Sequence, residues 1–223
     1  MTQLASDDFE RAALGANWST ISGEFAWFIT GSSDATANGS DSSSNYSAID
    51  WPDDQWAEAT FSAIPIPASA GAGAGVATRC DPTNSARTYY RHLAGANGAN
   101  DSCIGKLVGG SYTQLALASN QGWVNGDVVR GEAQGTDIRL LRNGTQVLSA
   151  SDSAIAGGDP GLTFSTSTTG DPQFEDWAAG DFATANAPTK RSHGFKLQQM
   201  ADAEDDGKFN ELDVRNWWCE AFA

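Results

Sequence analysis

Three sets of side chains in this sequence have the types and spacing to do chemistry. In the first, Asp202, Glu204 and Asp206 recur at every second position, Gly207, Lys208 and Phe209 follow, and Asp213 closes the run. Alternate carboxylates of this kind converge on one hard cation, and the cation expected is Ca2+. Gly207 allows the sharp turn, Lys208 offers its backbone carbonyl, Phe209 packs inward and Asp213 takes the closing position. A solvated acidic turn between two short helices is the other reading, and both stand on the sequence alone. The second set is Tyr89, Arg91 and Trp123. Sugars present apolar C–H faces rimmed by hydroxyls, so they are held by flat aromatic rings beside planar polar groups. Tyr89 and Arg91 lie two apart on one strand-like run and so share a face, while Tyr90 and His92 share the other. Trp123 lies between Gly122 and Val124 in an Asn/Gly-rich stretch, and with Arg91 it is expected to reach solvent. Core packing is the alternative for each aromatic. The third set, Trp217, Trp218 and Phe222, must bury somewhere, either back on the domain or as a docking anchor in a neighbouring subunit.

Catalytic patterns are missing. Hydrolysis of a glycosidic bond needs two carboxyl groups facing the same sugar, yet Glu24, Glu58 and Glu132 stand alone. Glu175 and Asp176 are adjacent, which on a regular strand sends them to opposite faces. With two histidines, His92 and His193, and no Gly-x-Ser-x-Gly elbow, a serine hydrolase has little support. The chain is expected not to be an enzyme.

Charge narrows the partners. The 13 basic and 28 acidic residues give 13 − 28 = −15, which excludes binding to nucleic acid by phosphate neutralisation. No apolar run approaches the ~18 residues of a membrane span. The first residues, MTQLASDDFERA, show neither a basic n-region nor an apolar h-region. Cys80 and Cys103 sit at the ends of strand-like runs and either pair, leaving Cys219 over, or remain free thiols. None has the CxxC spacing of a zinc site.

The positioning elements are strands. The strongest local signal is Asn143-Gly144 between the runs Thr136 to Arg142 and Thr145 to Ala150, where a type I′ hairpin turn needs positive φ at both central residues. Asp159-Pro160-Gly161 is expected to turn the chain into a further strand, 162–168. Residues 24–30 (EFAWFIT) predict a strand apolar on both faces, 31–44 an exposed polar loop, 45–50 a short strand, and Gln55 to Ala63 a half-buried one by its period of two. Ala68 to Gly75 is either a flexible connection or a lead-in pressed against another backbone. Strands over 76–80, 87–93, 102–108, 112–119 and 127–134 bring the total to about a dozen, the spacing of a two-sheet sandwich. After Ala185 the composition changes: Asn186-Ala187-Pro188 is linker-like, and helical segments flank the acidic loop. The expected division is 1–185 for the sandwich and 186–223 for linker and tail.

Three stretches carry a family resemblance. Strand, Asn143-Gly144, strand, a polar loop ending Gly158-Asp159-Pro160-Gly161-Leu162, and strand resembles the concanavalin A-like lectin/glucanase and laminin-G-like jelly rolls. Asp7 to Arg11 with Leu14 to Trp18 resembles the opening strand of such domains, and Phe174 to Phe182 the closing one. Together these cover about residues 4 to 185. The acidic tail is similar to a single calcium loop of EF-hand or dockerin modules, with Asp213 in place of the usual bidentate Glu. The resemblance implies an all-β, two-sheet antiparallel jelly roll with a short helical C-terminal appendage. It also implies lectin-like affinity for surface glycans, while the Glu-x-Asp-x-Glu strand of the laminarinase-type hydrolases of this fold is absent. Lectin-like domains usually work outside cells, and no export signal is visible. A phage virion protein joins the two facts: a capsid decoration or tail-fibre protein, non-catalytic, assembled in the host cytoplasm and exposed on the virion surface. It would be partnered by other virion proteins and by copies of itself. A bacterial or environmental carbohydrate-binding module is the alternative, and a glycoside hydrolase the third reading.

Overall fold

The computed structural model describes residues 1–182 except 32, 38–40, 68–71, 82, 84–86, 96–101, 166–167 and 170. The chain divides into Met1–Ala183 and Thr184–Ala223. The second unit lies outside the described residues, and with it the calcium set Asp202, Glu204, Asp206, Lys208 and Asp213, the docking set Trp217, Trp218 and Phe222, and the expected helices.

The described residues form strands only. In chain order these are β1 Thr2–Asp7, β2 Trp18–Thr20, β3 Phe28–Ile29, β4 Ala35–Thr36, β5 Ser42–Tyr46, β6 Gln55–Ala63, β7 Ile66–Pro67, β8 Gly73–Cys80, β9 Tyr89–Ala94, β10 Ser102–Val108, β11 Ser111–Ala118, β12 Val128–Gln134, β13 Asp137–Arg142, β14 Thr145–Ser151, β15 Asp159–Ser165, β16 Thr168–Thr169 and β17 Gln173–Asp181. Sheet A runs β14-β13-β12-β6-β17-β4-β3, with β1 also on β17. Sheet B runs β11-β10-β9-β8-β15-β5-β2, and β7 pairs with β16 separately. Every strand pairing is antiparallel, and the two sheets make the sandwich expected from the sequence.

Period-two alternation builds the core. Ala57, Ala59 and Phe61 of β6 and Ile138 and Leu140 of β13 bury against Ala74 and Val76 of β8 and Leu162 and Phe164 of β15. One end holds an aromatic cluster in which Trp177 lies 4.8 Å from Trp18 and stacks on Tyr46 at 5.2 Å. Offset and edge-on arrangements of such rings add to their burial. Asn143 and Gly144 take φ of 49° and 77°, so the β13–β14 turn is the one their residue types predict.

Several sequence-based expectations are corrected. Residues 24–30 are not a continuous strand: Phe28–Ile29 pairs with β4, Phe25 makes an isolated parallel bridge to Ser42, Trp27 alone is buried, and Phe25 and Phe28 are exposed. The serine-rich 31–44 stretch is not simply a loop, because Ala35–Thr36 and Ser42–Ser44 are buried strand residues. Those serines are tolerated inside because their hydroxyls are bonded, Ser43 Oγ to Tyr89 Oη at 3.1 Å and to Thr163 Oγ1 at 2.9 Å. Asp159-Pro160-Gly161 is not a turn but the start of β15. Pro160 sits at a register shift, where the missing N–H costs no ladder bond. The alternative of a tight lead-in holds at Gly75, where a Cβ would come 2.0 Å from the His92 carbonyl oxygen. Cys80 and Cys103 are free and buried. Cys103 is level with Gly75 through Leu93, 80 − 75 = 5 residues from Cys80. At ~3.3 Å per residue that separation is beyond disulfide reach.

Candidate functional site

Of the three residues the sequence singled out for sugar contact, two are core residues. Trp123 is 1% exposed, not solvent-facing: its ring packs edge-on against Phe61 and its Nε1 donates to Ser102 Oγ at 2.8 Å. The surrounding polar residues turn the chain, and the indole fills the space beneath them. Tyr89 is also 1% exposed and donates to Glu24 Oε1 at 2.9 Å. Burial, and next the nearby Glu24 carboxylate, push the Tyr89 hydroxyl far above its usual pKa. Burial likewise raises the Glu24 carboxyl, against the bonds from Tyr89 and Arg87.

Arg91 is 8% exposed, so it does not reach freely into solvent, yet it borders an exposed aromatic. Arg91, Gly105 and Gln114 form one cross-strand row over β9, β10 and β11, and Tyr112 belongs to the neighbouring row opposite Leu107. From there the Tyr112 ring reaches across β10 to bring its centroid within 4.1 Å of the Arg91 guanidinium carbon. Gly105 makes room: a Cβ at that position would meet Tyr112 Cε2 at 2.5 Å. The ring remains 41% exposed. Its hydroxyl lies 3.4 Å from Cys103 Sγ, and burial followed by that contact pushes its pKa up to about 12. The result on the outer face of sheet B is a flat aromatic beside a guanidinium and the exposed Gln114 amide.

Gly105→Ala is expected to lift this ring and to lower stability by about 1–3 kcal/mol, the range for overpacking. Urea unfolding measures the cost, and unchanged stability together with unchanged Tyr112 reactivity would refute the packing assignment.

Sequence inspection missed Tyr112 because it is one of many aromatics at strand-like spacing. The available signal was Gly105 inside the strand run Ser102 to Val108, since an interior strand glycine often marks a close approach.

The outer face of sheet A carries a different surface. Arg130 lies 4.1 Å over the Trp56 ring, donates from Nε to Glu132 Oε1 at 2.9 Å and reaches Glu58 at 3.4 Å. Glu132 also pairs with Arg139 at 3.5 Å. Trp56 is left 4% exposed, so its face is occupied by the guanidinium. Two shallow depressions flank this lattice. One of about 250 Å3 is bordered by Ser6, Asp8, Glu58, Thr60 and Asp176, and one of about 550 Å3 by Asp137, Arg139, Gln146 and Ser149. Opposite charges matched across neighbouring strands are a stabilising arrangement. Glu175 and Asp176 do not face opposite ways as an unbroken strand would have them. A register shift between Phe174 and Asp176 leaves both exposed, with Phe174 and Trp177 buried on either side. Among the described residues no group of three His, Cys, Asp or Glu side chains is placed to hold a metal ion.

No protein-family model and no curated protein matches the chain. Solved structures do. A carbohydrate-binding module, CBM66 from Bacillus subtilis, is 21% identical with a TM-score of 0.51, over 74% of this chain and 93% of that one. The GH43 protein BlXynB from Bacillus licheniformis is 11% identical with a TM-score of 0.56, over 78% of this chain and 38% of that one. The exoplasmic/lumenal domain of VIP36 in its Ca2+/Man3GlcNAc-bound form is 8% identical with a TM-score of 0.52, over 77% and 86%. The shared architecture is the concanavalin A-like jelly-roll sandwich.

Proposed function

We propose that the sandwich is a non-catalytic carbohydrate-binding module whose contact surface is Tyr112, flanked by Arg91 and Gln114. The observation that carries this reading is a tyrosine ring seated over a strand glycine and stacked with a guanidinium, yet 41% exposed. A pyranose or furanose ring can lie on such a face while its hydroxyls bond the amide and guanidinium. Fixing the ring in advance spares the ordering cost that weakens binding. Two of the similar structures support the reading by what they are, a carbohydrate-binding module and a domain solved with a mannose-containing glycan.

Three glutamates are engaged in ion pairs or buried. Glu58 and Glu132 pair with arginines, and Glu24 is buried beneath Tyr89 and Arg87. The carbohydrate-binding module therefore stands ahead of the virion protein. A virion attachment domain would present the same surface, and an adjacent capsid or tail gene would distinguish the two.

A glycan array probed with the full chain should retain at least one oligosaccharide, and titration calorimetry against it should show Tyr112→Ala weakening affinity about tenfold or more, or about 1.4 kcal/mol. Gln114→Ala should weaken it less. Binding that survives Tyr112→Ala unchanged moves the site off this face, and an array with no retained glycan refutes the function.

A further inference from the structure

We infer that two copies of this chain associate through the edge of β11, which pairs with no further strand among the described residues, joining their sheets B across a two-fold axis at Thr113. The two sides of the sandwich are managed differently. On one side sheet B ends in β2 and sheet A in β3, three and two residues long, too short to template a neighbour, and in β1, whose six residues are broken by a bulge at Leu4 and end in the charge of Asp7. On the other they end in β14 and β11, seven and eight residues long. Long edge strands are normally protected by lysine, proline or inward-pointing charge, because their outer N–H and C=O groups recruit further strands.

Here that protection is missing. The chain carries 13 + 28 = 41 charged residues, and neither Ser111–Ala118 nor Thr145–Ser151 contains a charged residue or a proline. At net −15 a second copy is repelled by most surfaces. A seam free of charge is where two such copies can meet, and this favours a copy of the chain over a charged partner.

Bulges decide which part of the seam can pair. β14 skips Val147 between its partners Leu140 and Leu141, and β11 skips Leu115 between Ile104 and Gly105. Each bulge twists the edge where it falls. The bulge leaves two regular runs on β11: Ala116 to Ala118, half-buried, and the longer Ser111 to Gln114, in register with Val108, Leu107, Lys106 and Gly105 and exposed at all four positions. A two-fold axis normal to the sheet requires residues opposite one another to share a face. With Thr113 on the axis, Tyr112 of each copy lies opposite Gln114 of the other. Two Tyr112 rings then share one surface; the pairing itself does not depend on their binding a sugar.

Sedimentation equilibrium of the full chain should show a monomer–dimer equilibrium. Thr113→Lys, which sets two ammonium groups face to face at the axis, should raise the dissociation constant about tenfold or more and leave the thermal midpoint of dilute protein unchanged. Amide exchange at 111–114 should slow as wild-type concentration rises. A wild type that stays monomeric at millimolar concentration overturns the proposal. So does a dimer that resists Thr113→Lys, or one that forms without added protection at 111–114. Glycan titration of Thr113→Lys keeps the two readings apart: loss of dimer with binding retained supports the edge, whichever way Tyr112→Ala behaves.

Discussion

Arg79→Met is expected to lower unfolding free energy by about 3–5 kcal/mol, the lower part of the cost of stranding its three carbonyl acceptors, with the urea midpoint falling at an unchanged slope. Arg79 is 2% exposed and ties together three segments distant in sequence. Its Nε donates to the Asp53 carbonyl at 2.8 Å, and its Nη1 to the carbonyls of Gly135 and Ile155, each at 3.0 Å. Asp54, which also accepts from the Gly135 N–H at 2.7 Å, is its ionic partner at 3.5 Å. The β6 lead-in, the β12–β13 turn and the β14–β15 loop are therefore fastened to β8 by one planar fork. The backbone N–H of Arg79 donates to Gln55 Oε1, and Gln55 Nε2 donates on to the Pro52 and Gly158 carbonyls. Removing the guanidinium strands carbonyls that no other described donor reaches, each worth about 1–3 kcal/mol when left unsatisfied. Arg79→Lys should recover only part of the loss, since an ammonium cannot span the same acceptors. A loss below about 1 kcal/mol for Arg79→Met would show that water replaces the fork. The site around Tyr112 shares none of these partners, so the folded variant should retain wild-type glycan affinity.

The contrast between Arg79 and Tyr112 shows where sequence information ran out. The hairpin at Asn143-Gly144, the strand at Gln55 to Ala63 and the two-sheet class were legible because turn chemistry and period-two patterning are local. Local chemistry also misled. Trp123 in an Asn/Gly setting and Ser43 in the serine run 42–44 look exposed, and both are buried because partners far along the chain, Ser102 for one and Tyr89 and Thr163 for the other, satisfy their polar atoms. Arg91 was singled out for its type, but its value comes from Tyr112, which meets it only because β9, β10 and β11 are neighbours and Gly105 leaves a gap between them. A site assembled across three strands has no spacing to read along one. Glu58 and Glu132 show no pattern along the chain because the arginines that engage them include residues of neighbouring strands, Arg130 for Glu58 and Arg139 for Glu132.

His92→Gln is expected to flatten the fall in stability between pH 6.5 and pH 4.5. His92 is fully buried on the inner face of β9, where its Nε2 lies 3.0 Å from Thr78 Oγ1 and its ring leaves no room for a Cβ on Gly131. Burial, opposed in part by a backbone contact at Arg139, lowers its pKa to about 3. The folded state therefore keeps the imidazole neutral while the unfolded chain protonates it near 6.5. Its contribution is fully present above pH 6.5 and is lost as pH falls toward 3. Each unit in that window removes about 1.4 kcal/mol, so the loss by pH 4.5 is about 2–3 kcal/mol. Glu24 and Asp159, whose carboxyls burial pushes upward, act in the opposite sense: they favour the folded state as pH falls through their raised values. Asp7, Asp127 and Asp152 are held below the usual carboxylate range despite burial, by their hydrogen bonds and cationic partners, and so add destabilisation only in more acidic solution. These contributions are common to both proteins and cancel in the difference. Urea titrations of wild type and His92→Gln at half-unit pH steps should give curves that converge toward pH 4.5, with the variant less stable at pH 7 because glutamine fills the pocket less well. Parallel curves across that window would mean that the imidazole is protonated in the folded protein, and that the space between Thr78 and Gly131 admits water.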